Sequence, residues 1–312
     1  DCFVVALEAK TGKKLWQYKT LNSVKNTIVI AQGLVIATDM QGFVYALNPN
    51  SGELVWKKDL EYNRLPGYVS GMVSDGKTLF TGFGNTLCAI DAKTGNELWR
   101  NKAWNGGEGT VPTLTLADGV LVASAHWRAL YGHDAATGEM LWKRDDDGIR
   151  FRDATLSFVD NTLWLTQNEK LYKLDPKTGK TVESFVTGMS HTGNSVPVIN
   201  DNIVFVGSTD KGIAALDKNT GKGIWNFKTD PALFHTPPYT SDRQRTVETS
   251  PLLLGDKLIV GAMDGNLWIL DADSGKLLQK FSFGVPILST PAVSGNCIFI
   301  SDFAGDVSCL SW

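Results

Sequence analysis

Apolar and polar positions come in short runs that turn residues interrupt, and the runs fall in groups of four. Asn26–Ile30, Leu34–Thr38, Phe43–Leu47 and Leu54–Lys58 make one such group. Runs of this length, rich in Val, Ile, Leu and aromatic residues and bounded by Gly, Asn and Asp, predict strands. The residue opening each third-to-fourth strand connection sets the period. It stands at positions 7, 47, 90, 133, 174, 216, 270 and 310, at intervals of 40, 43, 43, 41, 42, 54 and 40 residues. Four strands repeated every 40 to 45 residues predict an all-β propeller, each period being one antiparallel blade.

The third and fourth strands are joined by a recurring turn, as in Ala92-Lys93-Thr94-Gly95 and Lys218-Asn219-Thr220-Gly221. An Asp or Asn there can bond its own backbone, and Gly supplies a positive φ. Four residues after the glycine come Trp16, Trp56, Trp99, Trp142 and Trp225. The five copies that carry Trp have a small residue near the end of the third strand: Ala6, Ala46, Ala89, Gly132 and Ala215. The two copies that lack it have Lys173 with Glu183 and Ile269 with Gln279. Indole and small residue are lost together, so the ring is expected to lie over that position and to clamp neighbouring blades.

The stretch Ala89-Ile90-Asp91-Ala92-Lys93-Thr94-Gly95-Asn96-Glu97-Leu98-Trp99 resembles the tryptophan-docking motif of the PQQ-like, quinoprotein-type β-propellers. The resemblance covers essentially the whole chain. It implies a fold rather than an activity, because that family spans quinoprotein dehydrogenases, the outer-membrane assembly lipoprotein BamB and propellers fused to enzymes or sensors.

The sequence is read as one propeller domain over residues 1–312. It opens inside a repeat, at a third strand, which suggests that natural N-terminal residues are lacking. Seven first-second-third strand sets follow, and the last has no fourth strand of its own. Two closures fit: Lys13–Tyr18 completes a seven-bladed ring, or the parent has eight blades with the first incomplete.

Charge and composition narrow the function. Hydrophobic residues make up 43% of the chain, charged residues 20%, and the net charge is −3, which gives no reason to expect nucleic acid. No apolar run of about 18 residues predicts a transmembrane segment. The four cysteines, Cys2, Cys88, Cys297 and Cys309, lack metal-ligand spacing and are read as small buried strand residues. The family resemblance implies an exported, periplasmic or membrane-associated protein.

Function in a propeller is expected in the loops from each fourth strand to the next first strand. These loops carry Lys25, Arg64, Glu108, Arg152 with Asp153, His191, Arg245 and Glu248. Side chains of these types, converging on a channel mouth, could hold a carboxylate or phosphate; solvated loop charges paired with one another are the plainer reading. The segment Thr229–Glu248 accounts for the 54-residue interval and contains Phe234, His235, Pro237, Pro238, Tyr239, Arg243 and Arg245. This aromatic, proline and arginine mixture suits a rigid contact surface for a partner or ligand; a structural lid over the ring, with no partner, is the alternative reading. His126-Trp127-Arg128 replaces a polar turn and is expected to be buried between blades.

No Gly-x-Ser-x-Gly, phosphate-cradling glycine loop or His-Glu-x-x-His occurs. The vicinal cysteines of quinoprotein dehydrogenases are also missing, so no catalytic residue, cofactor or metal is expected. The first expectation is a non-catalytic scaffold, similar in class to BamB, that holds another envelope protein. The alternatives are a PQQ-with-calcium or other quinone site using Arg64, Arg152, His191 and Arg245, and an accessory propeller of a longer enzyme.

Overall fold

The computed structural model describes residues 2–61, 71–83, 86–102, 114–124, 129–146, 149, 156–191, 195–233 and 244–311. Among these residues there are strands and turns and no helix. The chain forms two compact units.

The first unit comprises Asp1–Asn161 with Asp175–Lys180. It begins with a hairpin of Phe3–Leu7 and Lys14–Lys19. Three four-stranded antiparallel sheets follow: Val29–Ala31, Leu34–Thr38, Phe43–Leu47 and Leu54–Asp59; Val73–Ser74, Thr78–Phe83, Thr86–Asp91 and Glu97–Asn101; and Thr115–Ala117, Val120–Ser124, Leu130–Asp134 and Met140–Arg144. The short strand Ser157–Val159 comes last. Lys14–Lys19 takes its neighbour from its own hairpin, as the fourth strand of each group does.

The second unit comprises Thr162–Leu174 and Thr181–Trp312. Here the second and third strands of one set are continuous, as the 13-residue strand Thr162–Leu174, which pairs with Thr181–His191. Two four-stranded sheets follow: Val198–Ile199, Ile203–Gly207, Ile213–Asp217 and Gly223–Phe227; then Leu252–Leu254, Lys257–Gly261, Asn266–Asp271 and Leu277–Ser282. A three-stranded sheet of Ala292–Ser294, Cys297–Ser301 and Val307–Ser311 closes the unit.

The repeated turn explains the repeated hairpin. Gly95 N–H donates to Asp91 O at 2.9 Å. Asp91 Oδ1 accepts from Thr94 N–H at 2.7 Å and Thr94 Oγ1 at 2.8 Å, which holds its carboxyl below the usual carboxylate range. The same closure recurs at Asp134, Asp175, Asp217 and Asp271.

Alternation along the strands then builds the cores, which lie between successive sheets. Ile36, Val44, Ala46 and Leu60 pack with Met72, Leu79, Cys88 and Ile90 in the first unit, and Trp56 lies against them. Phe205, Ile213 and Ala215 pack with Val260, Trp268 and Leu270 in the second.

The indoles sit opposite the small residues: Ala6 pairs with Trp16, Ala46 with Trp56, Ala89 with Trp99, Gly132 with Trp142 and Ala215 with Trp225. Each ring also reaches the next turn. Trp16 Nε1 donates to Pro49 O at 2.7 Å, Trp56 to Ala92 O at 3.2 Å, Trp99 to Ala135 O at 3.0 Å, Trp142 to Pro176 O at 2.9 Å and Trp225 to Ala272 O at 3.0 Å. Where small residue and indole are both replaced, Lys173 faces Glu183 and the two form an ion pair at 2.8 Å.

The cysteines differ from expectation. Only Cys88 is buried, and burial pushes its thiol up to about 12; Cys2 and Cys297 are half-buried and Cys309 is exposed. Cys309 lies on Val307–Ser311, the end strand of its sheet, where alternate residues face solvent.

Candidate functional site

The long loop of the second unit is carried on two stems, Thr229–Leu233 and Gln244–Glu248. They are joined directly: Ala232 N–H donates to Gln244 O at 2.9 Å, and the Arg245 guanidinium donates to Thr229 O. The second stem is tied to the turn Ser208–Gly212, with Gly212 N–H on Arg245 O at 2.7 Å, Val247 N–H on Ser208 O at 2.8 Å and Thr246 Oγ1 on Thr209 O at 2.8 Å. Both stems are tied to the turn after Gly261. Met263 N–H donates to Thr246 O at 3.1 Å, and Leu233 N–H donates to Met263 O at 3.0 Å.

Asp264 locks the first stem from below. Its Oδ2 accepts from Asp230 N–H at 2.8 Å and Trp268 Nε1 at 3.0 Å, while Oδ1 accepts from Asn266 N–H at 2.9 Å. Burial raises its pKa, and these donors partly offset that rise. Lys280 Nζ contacts Asp230 Oδ2 at 2.7 Å and lies 4.4 Å from the Trp268 ring centroid. A loop whose stems are bonded on both flanks can present its tip without ordering the whole segment on binding. The tip contains Phe234, Tyr239 and Arg243, which lie outside the described residues. Leu233, at its base, is 54% exposed.

His191 has a different task from the one expected of it. It is 4% exposed at the end of Thr181–His191. A carbonyl only accepts, so Nδ1 carries the proton and donates to Gly207 O at 2.8 Å; Nε2 meets Thr187 Oγ1 at 2.8 Å. Burial lowers its pKa, so the ring is held neutral. It braces the same Ser208–Gly212 turn, where Thr209 N–H donates to Ser190 O at 2.9 Å and Ser190 N–H donates to Asp210 Oδ1 at 3.1 Å. His191 and Arg245 thus both meet this turn, His191 through its ring and Arg245 through its main-chain carbonyl. Glu248 is half-buried beside Val247, and Lys25, in the first unit, is exposed. Arg64, Glu108, Arg152, Asp153 and His126–Arg128 lie outside the described residues.

Of the residues set out for a quinone carboxylate, His191 and Arg245 are described: His191 engages both ring nitrogens, and Arg245 gives one guanidinium nitrogen to Thr229 O. Among the described residues no cluster of three or more His, Cys, Asp or Glu side chains is placed to hold a metal ion. No helix of the described residues is long and apolar enough to cross a membrane.

Two supporting features escape a reading by motif. Phe185 lies against Gly221, the place that an indole takes in other turns, although Glu183 stands at the Trp position. The signal is period two, since residues 183 and 185 share a strand face. Aspartates after the second strand also fix the start of a loop: Asp39 accepts from Asn22 N–H as Asp264 does from Asp230 N–H. The signal is Asp before a glycine turn, as in Asp39-Met40-Gln41-Gly42 and Asp264-Gly265.

Comparison with known proteins agrees with the blade pattern. The chain is 23% identical over 276 residues to an outer membrane protein assembly factor BamB of Moranella endobia, covering 85% of this chain and 66% of that one. It is 25% identical over 322 residues to the quinohemoprotein alcohol dehydrogenase of Comamonas testosteroni, covering 87% of this chain and 42% of the enzyme. The crystal structure of BamB from Moraxella catarrhalis superposes with a TM-score of 0.70 at 18% identity, over 99% of this chain and 88% of the other, and so shares the all-β propeller fold. The chain therefore spans about two thirds of the first relative and less than half of the second. The family model described as outer membrane protein assembly factor BamB matches residues 40–196 and 166–312, and the chain belongs to that family of PQQ-like repeat proteins.

Proposed function

We propose that this chain is a non-catalytic scaffold of the cell envelope that holds an outer-membrane assembly protein through the loop Thr229–Glu248. The observation that carries this reading is the doubly tied stem. Hydrogen bonds to the turns on either side hold both feet of a tip that contains Phe234, Tyr239 and Arg243, residue types that anchor protein interfaces. Membership of the BamB family supports the partner class and an extracytoplasmic location. The quinone reading is ranked below it, because His191 and Arg245 are engaged in holding turns.

The test is capture from detergent-solubilised envelopes by the chain and by a triple variant, Phe234→Ala with Tyr239→Ala and Arg243→Ala. Arg245 stays intact because it holds the stem. Loss of an outer-membrane assembly protein from the captured set, with an unchanged urea midpoint, is the expected result. Equal capture by both proteins would reject the loop as the contact.

A further inference from the structure

Two consecutive residues join the strand Thr181–His191 to the turn Ser208–Gly212. His191 donates from Nδ1 to Gly207 O at 2.8 Å, at the residue that opens the turn. Ser190 O accepts from Thr209 N–H at 2.9 Å and from Thr209 Oγ1 at 3.2 Å, and Ser190 N–H donates to Asp210 Oδ1 at 3.1 Å. The same turn carries the second stem of the long loop, with Gly212 N–H on Arg245 O, Val247 N–H on Ser208 O and Thr246 Oγ1 on Thr209 O. One imidazole therefore stands in the line of bonds that runs from the strand to the stem.

Hydrogen bonding at this place tolerates a second proton on the ring, whereas burial does not tolerate the charge. Nε2 lies 2.8 Å from Thr187 Oγ1, and that hydroxyl has two other acceptors, Glu169 O at 3.0 Å and Met189 O at 3.3 Å. It can give its hydrogen to Nε2 of the neutral ring, or turn it to Glu169 O and accept from Nε2–H of the charged one. The residue is 4% exposed, so a positive ring there is stripped of most of its water. The charged groups on the surrounding elements give little relief. The turn brings Asp210, already bonded to Ser190 N–H, and Lys211, whose Nζ donates to Gly188 O. The second stem brings Arg245 and the half-buried Glu248, and the strand paired with His191 brings Glu169 and Lys170, both exposed. Burial outweighs Asp210 and lowers the pKa of the seated ring. A ring in water takes its proton at about pH 6.5, so acid favours the unseated form.

We propose that His191 is a proton-operated latch on the long loop: neutral, it ties the Ser208–Gly212 turn and the stem Gln244–Glu248 to the strand, and protonated, it leaves its seat and frees them. Ser190 moves with it because the two are consecutive, so Thr209 and Asp210 lose their partners at the same step. The sheets on either side keep their own ladders. The tip of the loop then stands on one fixed foot instead of two, and the chain lets go of its partner in acid. That last consequence rests on the loop being the contact; the latch itself does not.

The test is amide exchange, corrected for its intrinsic pH dependence, on the chain and on His191→Gln at about pH 7.5 and about pH 5, on either side of the ordinary histidine value. A glutamine side chain there can donate to Gly207 O and accept from Thr187 Oγ1, but it takes up no proton in this range. In the chain, protection of the Gly212 and Val247 amides is expected to fall about tenfold or more on acidification, within the limit of about thirtyfold set by a histidine of pKa about 6.5 in the open form. Gly221, in a turn of the same unit closed on Asp217 O, should hold, and His191→Gln should show no fall at any of the three. Protection at Gly212 and Val247 that stays unchanged in the chain, or that falls as far in His191→Gln, would overturn the latch. The first comparison needs no substitution, so it decides even where the variant fails to fold. Capture of an outer-membrane assembly protein is measured at the same two pH values and should fall in the chain and persist in His191→Gln. Capture that persists in the chain while protection is lost would support the latch and reject the loop as the contact.

Discussion

Replacing Gly95 by alanine tests whether the indole over the turn, and not the turn alone, requires glycine. Gly95 has φ of 75°, and an ideal Cβ there would stand 2.8 Å from Cδ2 and Cε3 of Trp56. Gly12 occupies the same turn position with φ of 69°, and nothing lies within 4 Å of its Cβ site. Alanine in the left-handed region costs about 1–2 kcal/mol, partly offset by the loss of about 0.4–1 kcal/mol of unfolded-chain entropy. Gly12→Ala is therefore expected to destabilise by about 0–1.6 kcal/mol. Gly95→Ala adds an overpacking cost of about 1–3 kcal/mol, because Trp56 is held by its hydrogen bond to Ala92 O and by the core beneath it and cannot withdraw cheaply. The assay is urea denaturation of Gly12→Ala, Gly95→Ala, Trp56→Ala and the Gly95→Ala/Trp56→Ala pair. With the ring removed, Gly95→Ala should cost no more than Gly12→Ala. Equal costs at Gly12 and Gly95 in the presence of Trp56, or a Gly95 cost that persists without the indole, would refute the clamp.

Other expectations follow from the same contacts. Phe185→Ala should destabilise the second unit by about 3 kcal/mol, the low end for aromatic truncation because the ring is half-buried; a midpoint unchanged in urea would deny it the place of the missing indole. His133 and His191 are both held neutral by burial while the unfolded chain binds protons near pH 6.5. Stability should therefore fall as pH drops below that value, and His191→Gln should flatten the slope; Asp264, whose pKa is raised, acts in the opposite direction at lower pH. An identical slope in His191→Gln would contradict the assignment. Arg245→Met should leave the sheets intact and raise amide exchange at Ala232 roughly fivefold or more through loss of the bond to Thr229 O, and unchanged exchange would show that the stem does not depend on it.

The blades were readable because each is specified locally. A turn such as Asp91 to Gly95 is closed by its own groups, Gly95 N–H on Asp91 O and Thr94 on Asp91 Oδ1, and the pairing of Ala46 with Trp56 follows from strand register. The site was less readable because its residues act through contacts distant in sequence. His191 reads as an ionisable loop residue until Gly207 and Thr187 are seen to enclose it, and Arg245 reads as an anion ligand until Thr229 O is found beneath its guanidinium. Phe185 was hidden for a subtler reason: the motif fixes a residue type at one position, whereas the packing needs only an aromatic ring on that face. Cys309 was misplaced because alternation gives the face of a strand but not whether another layer covers it.

The central claim is that the tip of the long loop meets the partner. A photo-crosslinking residue placed at Tyr239 in living cells tests this most directly, with one at Asn219, in an exposed third-to-fourth strand turn of the same unit, as control. The account predicts a covalent adduct with an outer-membrane assembly protein from position 239 and none from 219. An adduct from 219 with none from 239 would contradict it.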